Sequence, residues 1–290
     1  MRLFILILLT PLFSISQGIK MREYKAGAEI KYRLTSESYN NDKFSGKSIS
    51  IARLTVVPDS AMLSEEIKWL AKTSFTDKDT INKDKAAQSI DPYRISLLPN
   101  GKVLLPKLNN PEMTGDITDL NTFFVAVSPA LHVQNLSRKT PVYKNEKRTP
   151  GDFADGVMIL KGSDCTEVTQ TLVKKTSRYT IVKTDFLPPL TNCLVSLLDT
   201  ISKKSFEYPN NFQMVQRAQG DKVNLIWGNE SFTIITKIDN GDGKILEAIM
   251  TNVLKLRMRI NTSPDLQTYA VEIPYKISRN LKLELIKEKR

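Results

Sequence analysis

Histidine and cysteine are almost missing from this chain: His132 is the one histidine in 290 residues, and Cys165 and Cys193 are the two cysteines. Ordinary zinc sites need clustered thiolates and imidazoles, so no metal centre of that kind can be assembled, and no cofactor is expected. A serine triad would have to use His132, which follows a proline-containing apolar segment. A Gly-x-Ser-x-Gly elbow, a phosphate-cradling glycine loop and a dinucleotide fingerprint are all lacking. The aromatics are not clustered with Lys and Arg, which argues against a nucleic-acid partner. Apart from the extreme N-terminus, no apolar run approaches the roughly 20 residues needed to span a bilayer.

What the chain does have begins with a leader-like N-terminus. Arg2 precedes an apolar run from Leu3 to Leu9 that resumes at Pro11, Leu12 and Phe13, and Ser14-Ile15-Ser16 before Gln17 offers small residues to a signal peptidase. The expectation is a signal peptide over 1–16, cleaved to leave Gln17 first. With no cysteine just after the apolar run, the expected product is secreted or periplasmic and not a lipoprotein. This cleavage region resembles those of exported envelope proteins of Bacteroidota. In an oxidising compartment Cys165 and Cys193 can pair, which would contribute about 3 to 4 kcal/mol by loop closure; they can equally be two buried thiols.

Lys and Arg total 42 against 31 Asp and Glu, a formal charge of +11. The cations are spread along the chain and recur on alternate positions of strand-like runs. That pattern fits solvated outer faces, and it also fits attraction to an anionic membrane surface.

Hydrophobic periodicity predicts an α+β fold, predominantly antiparallel sheet with a few short helices. Period-2 alternation marks strands at Ile30, Tyr32 and Leu34, at Ser48 to Val57 with a bulge near Ala52 and Arg53, and at Val157 to Leu160, Thr166 to Val173 and Tyr179 to Phe186. From Phe212 onward the pattern predicts a meander, with a turn at Asp239 to Gly243 and its clearest strand at Leu254, Leu256, Met258 and Ile260. Pro274 is expected to break or displace the last ladder. Spacing of Leu63, Ile67, Leu70 and Ala71 predicts a short helix over 61–73, with Glu65 and Glu66 in its first turn. A hairpin is expected around Pro99-Asn100-Gly101, and a second helix at Leu190 to Ile201. The Pro- and Gly-bearing stretch 140–156 reads as a linker or long loop, which would divide the chain into an N-terminal half, 17–145, and a C-terminal half, 146–290, or lie within one continuous domain.

The most apolar internal segment, Ile117 to Leu131, places Phe123, Phe124, Val127 and Leu131 at helical spacing, with Asp116 as its cap and Pro129 as its end or kink. These four side chains either pack as core against the sheet or line an apolar cavity in an open half-barrel. In the second arrangement the chain resembles the lipoprotein and lipid carriers of the bacterial envelope, whose half-barrels wrap a hydrophobic ligand. The resemblance implies a non-enzymatic binding protein for an apolar small molecule or lipid. Two alternatives are a structural or adhesion-type envelope component and a hydrolase using paired carboxylates, Asp116 with Asp119 or Asp152 with Asp155.

Overall fold

The computed structural model describes residues 19–20, 22–59, 62–96, 110–131, 140–145, 149–153, 157–161, 166–188, 210–265 and 267–287. The segment 1–16 expected to be a signal peptide, the hairpin expected around Pro99-Asn100-Gly101, the helix expected at 190–201, and His132, Asp155, Cys165 and Cys193 lie outside them.

Two long hairpins open the chain: β1 (Glu29–Asn40) with β2 (Lys43–Asp59), then β3 (Met62–Phe75), with short β4 (Thr80–Asn82) and β5 (Tyr93–Ile95) on its outer edge. Between those two edge strands lies α1 (Asp84–Gln88). Asn41 and Asp42 take φ values of 47° and 63° at the β1–β2 turn, the left-handed geometry that tight hairpins require. The 21-residue α2 (Pro111–Leu131) follows. Then come β6 (Thr140–Asn145), β7 (Thr149–Phe153), β8 (Val157–Lys161), β9 (Thr166–Lys175) and β10 (Tyr179–Leu187). β11 (Phe212–Arg217), β12 (Val223–Asp239), β13 (Ile245–Thr262) and β14 (Val271–Leu285) complete the order.

Among the described residues fourteen strands join one antiparallel sheet, ordered β4-β3-β2-β1-β14-β13-β12-β10-β9-β6 along its main path. Its centre is a long-range seam, for β1 pairs β14 from Tyr32 opposite Leu285 to Asn40 opposite Ile277. β12 forks the sheet. Its first part, from Val223 to Gly228, pairs β11, which leads on to β8 and β7; its second, from Phe232 to Asp239, pairs β10. At the junction the Asn211 side chain replaces a strand: Nδ2 donates to the Glu230 carbonyl at 2.9 Å, and Oδ1 accepts from the Glu230 N–H at 2.7 Å.

The sheet is an open half-barrel and does not close. Its curl is visible in one side chain. From β3 to β13 is four strand spacings, roughly 19 Å on a flat sheet. Yet Arg22 spans the distance with its guanidinium, donating to the Glu65 carboxylate of β3 at 2.9 Å and to the Asp242 carbonyl of the β12–β13 turn at 3.3 Å.

The concave face holds α2. Met113, Ile117, Leu120, Phe123, Phe124, Ala126 and Val127 are buried against Tyr32, Leu34, Leu54, Ile67 and Trp69 on one side and Val182, Ile234, Ala248, Met250, Leu281 and Leu283 on the other. Fully burying such side chains contributes about 1.5 to 3 kcal/mol each. Phe124 meets Tyr32 edge to face, 6.0 Å between centroids. α2 also carries polar anchors. Asp116 accepts from Ser50 at 2.6 Å and pairs with Lys72, while Asp119 pairs with Arg279. Near its other end the Ala126 carbonyl accepts from Gln170 Nε2 at 2.8 Å and from Thr184 at 3.2 Å.

Several expectations change. Residues 62–75 form strand β3 and not a helix: Glu65, Ile67 and Trp69 alternate inward, then the register slips so that Ala71 faces Ile51 while Trp69 faces Ala52. The bulge expected near Ala52 is at that slip, but its extra residue is Leu70 of β3. The stretch expected to be a loop, 140–156, holds β6 and β7. Both lie at sheet edges, where Pro141 and Pro150 need not donate to a second neighbour. α2 starts at Pro111, five residues before the expected cap, and includes Pro129 in its last turn. Pro274 does not interrupt β14, because there β14 has passed the end of β1 and is paired to β13.

Candidate functional site

Alternation along β13 sets the two faces. Leu254 and Leu256 are each 5% exposed, whereas Lys255 and Arg257 between and beside them are exposed. The even residues continue the concave face beyond the α2 core. The register then assembles rows of side chains across neighbouring strands.

Nearest α2 the row is polar: Arg279 of β14 lies opposite Asn252 of β13. Asn252 Nδ2 donates to Glu230 Oε1 at 3.0 Å and to the Ser231 carbonyl at 3.4 Å. Arg279 reaches α2 through Asp119; burial works against its charge, but that carboxylate outweighs it and raises the guanidinium above its ordinary value. Ser36 of β1 lies 3.5 Å from the same Arg279 nitrogen.

The next row is mixed, Ile277 opposite Leu254 opposite Glu230. Beyond it the face is apolar: Tyr275, Leu256, Gly228 and Phe212 form one row, and Ile273, Met258, Ile226 and Met214 the next. Phe212, Ile226, Leu254 and Leu256 are buried and form the floor of a second apolar cluster, with Met214, Met258, Tyr275 and Ile277 packed half-buried against it. None of the α2 side chains described belongs to this cluster. Methionine suits such a surface, since its unbranched, polarizable chain conforms to irregular apolar partners.

On the convex side the same strands carry a shallow groove of about 630 Å³ between Trp227, Asn229, Lys255, Arg257, Pro274 and Lys276. Its charges are largely matched: Arg257 and Arg259 pair with Glu272 at 2.5 and 2.8 Å, and Lys276 with Asp42 at 2.6 Å. Arg259 stacks over Trp227 and Tyr269.

Of the residues singled out in the sequence, Phe123, Phe124 and Val127 are at most 2% exposed and fill the α2 core. Leu131 ends α2, and its side chain is not among those described. Asp116 and Asp119 are brought close to each other but each faces its own cation, Lys72 and Arg279. Asp152 lies in β7, opposite Met158 of β8. The sequence marks Leu254, Leu256 and Met258 as a core face but does not join them to Met214, Tyr275 or Ile277. The signal it offers is alternation in three separate runs; their juxtaposition is set by register.

Among the described residues no group of three or more His, Cys, Asp or Glu could hold a metal ion, and no helix is long and apolar enough to cross a membrane. No family model and no curated protein matches the sequence. A solved structure of lipovitellin, concerned with its lipid–protein interactions, aligns over 91% of this chain and 26% of its own, at 10% identity and a TM-score of 0.41. The outer membrane protein OmpT of Vibrio cholerae aligns over 90% of this chain and 100% of its own, at 8% identity and a TM-score of 0.17. The chain thus spans about a quarter of the lipovitellin it is compared with, and the fold rests on its own register and packing.

Proposed function

We propose that this is an exported, non-enzymatic binding protein that holds an apolar or lipidic ligand on the concave face of its half-barrel, beyond α2. The observation that carries the reading is the second apolar cluster. Its floor of Phe212, Ile226, Leu254 and Leu256, rimmed by Met214, Met258, Tyr275 and Ile277, is separate from the core that α2 completes. A small, mostly apolar surface with a few placed polar groups at one end is the usual chemistry of a small-molecule site. The α2 residues Phe123, Phe124 and Val127 act in this reading as the packed wall behind the ligand and not as its contacts.

The test is native mass spectrometry of the purified protein with solvent extraction of what it carries, together with displacement of bound Nile red by long-chain amphiphiles. Retained ligand, or displacement by any of them, supports the proposal. A bare polypeptide mass with no Nile red displacement by any amphiphile overturns it. Export is tested separately by the N-terminal residue of the protein recovered outside the cytoplasm: Gln17 supports cleavage after Ser16, and an intact Met1 found only inside the cell refutes it.

A further inference from the structure

The second apolar cluster opens toward one end of the sheet. Along β13 Leu254 and Leu256 are buried, while Met258 and Ile260 beyond them are half-buried. On β14 Tyr275 and Ile273 are half-buried, and Val271, opposite Ile260, is 45% exposed. The apolar face thus runs out into solvent at the β13–β14 turn, where Tyr269 is 43% exposed.

The convex side of the same end is cationic and aromatic. Lys255 and Arg257 are exposed, and Arg259 lies over the rings of both Trp227 and Tyr269. Lys255 stands directly opposite Lys276, and only Lys276 has a carboxylate partner among the described residues, Asp42. Like charges set opposite each other across two strands repel, so this pair favours an approaching anion. The two turns at this end and their flanking strands, residues 212–228 and 253–276, carry six Lys and Arg against three Asp and Glu, and Asp42 is a fourth carboxylate beside them. An excess of two positive charges remains around an apolar rim. Apolar side chains enter the acyl boundary of a bilayer, Tyr and Arg suit the headgroup level, and clustered cations are drawn to anionic lipid.

Resting on the ligand-binding reading above, we infer that the β13–β14 end of the half-barrel docks on an anionic phospholipid surface. Val271 and Tyr269 sit at the interface, and Lys255, Arg257 and Lys276 face lipid phosphates. Docked this way, the open end of the concave cluster meets the bilayer, so an apolar ligand passes between the two without crossing water.

The experiment is flotation of the full chain with vesicles of phosphatidylcholine, alone or mixed in equal parts with phosphatidylglycerol. Half-maximal binding is expected at about tenfold lower lipid concentration on the mixed vesicles, with the difference shrinking in high salt. Lys255→Glu should weaken that binding about fivefold or more. Lys25→Glu, the same charge change on an exposed residue at the opposite end of the sheet, should leave it nearly unchanged. On the unmodified chain, mixed vesicles should slow hydrogen exchange at residues 267–271 and not at 240–244, a readout that needs no variant. Equal binding to both vesicle types, equal weakening by the two substitutions, or protection at 240–244 instead overturns the docking assignment and leaves the ligand site standing. Docking as described by a protein that carries no ligand and binds no Nile red supports the docking end and overturns the ligand reading.

Discussion

Arg22 and Glu65 meet 2.9 Å apart across the end of the half-barrel, both buried. Burial pushes the Glu65 carboxyl above its ordinary value, with Arg22 and a 3.4 Å hydrogen bond from Tyr24 acting against that rise. Removing one partner of such a pair leaves an uncompensated buried charge. Arg22→Met is expected to cost about 3 to 5 kcal/mol, and Arg22→Met with Glu65→Leu to recover most of that. Because the folded-state pKa of Glu65 lies above its unfolded value, the folded state holds the proton more tightly, and stability falls as pH rises between those two values. Without Arg22 the folded value rises further, so the penalty of Arg22→Met shrinks between pH 7 and pH 5. Urea melts at both pH values measure it; an unchanged penalty means that Glu65 is not the group left unpaired.

Gly228 of β12 lies close against the backbone of β13. Its φ is 149°, and a Cβ there would lie 2.3 Å from the Lys255 carbonyl oxygen and 2.9 Å from Leu256 Cα. Backbone cannot yield as a side-chain tip can, so Gly228→Ala should cost about 3 kcal/mol or more. Gly27, at φ 77° with nothing within 4 Å of an added methyl, is the control. Gly27→Ala should cost about 1 to 2 kcal/mol, the strain of the left-handed region alone. Equal thermal shifts for the two variants would remove the steric argument.

Phe123 and Met258 separate wall from ligand contact. Phe123 is wholly buried in the α2 core, and Phe123→Ala should cost about 3 to 5 kcal/mol through cavity formation. Its ligand occupancy, measured where the variant is still folded, should be unchanged. Met258 is half-buried on the rim of the second cluster, and Met258→Lys should lower occupancy at least tenfold with little change in melting temperature. The reverse pattern would put the ligand at α2.

Glu272 gives a contrasting pH signature on the convex face. Its partial burial favours the neutral form, but the hydrogen bonds from Arg259 and Arg257 outweigh it and hold the carboxyl below its ordinary value. Its contribution is present above the unfolded carboxylate range and is lost as pH falls through the folded value. The group is near the surface, so Glu272→Gln should cost no more than about 1 kcal/mol at neutral pH and less in high salt. Melts at pH 7 and pH 3 in low and high salt check both directions.

The antiparallel meander from Phe212 onward is legible in the sequence because its core-facing residues are apolar and its outward ones charged, as at Leu254, Lys255, Leu256 and Arg257. β3 is not, and the reason is physical. Two of its inward positions are Glu65 and Lys72, whose partners Arg22 and Asp116 come from distant segments, and the Leu70 bulge breaks the period between them. With charges inside and Leu63, Leu70 and Ala71 at helical spacing, a strand carries the pattern of a helix. Pro141 and Pro150 mislead in another way: they read as loop punctuation, yet edge strands admit them. The helix carrying Phe123 and Phe124 is visible in its spacing, but whether those rings line a cavity or fill a core depends on strands up to 160 residues away, as the Asp119 to Arg279 contact illustrates.

The seam between β1 and β14 also sets a timetable. Strands at residues 29–40 and 271–285 are neighbours in the middle of the sheet, so the concave surface cannot assemble until β14 has been made. Until β14 is available, β1 and β13 each present an unpaired edge, and the interior residues Leu34 and Met250 face water. Closing a loop of that length before any central contact forms makes folding slow, and it leaves the chain a long interval in which it is open to chaperones, proteases and its own aggregation.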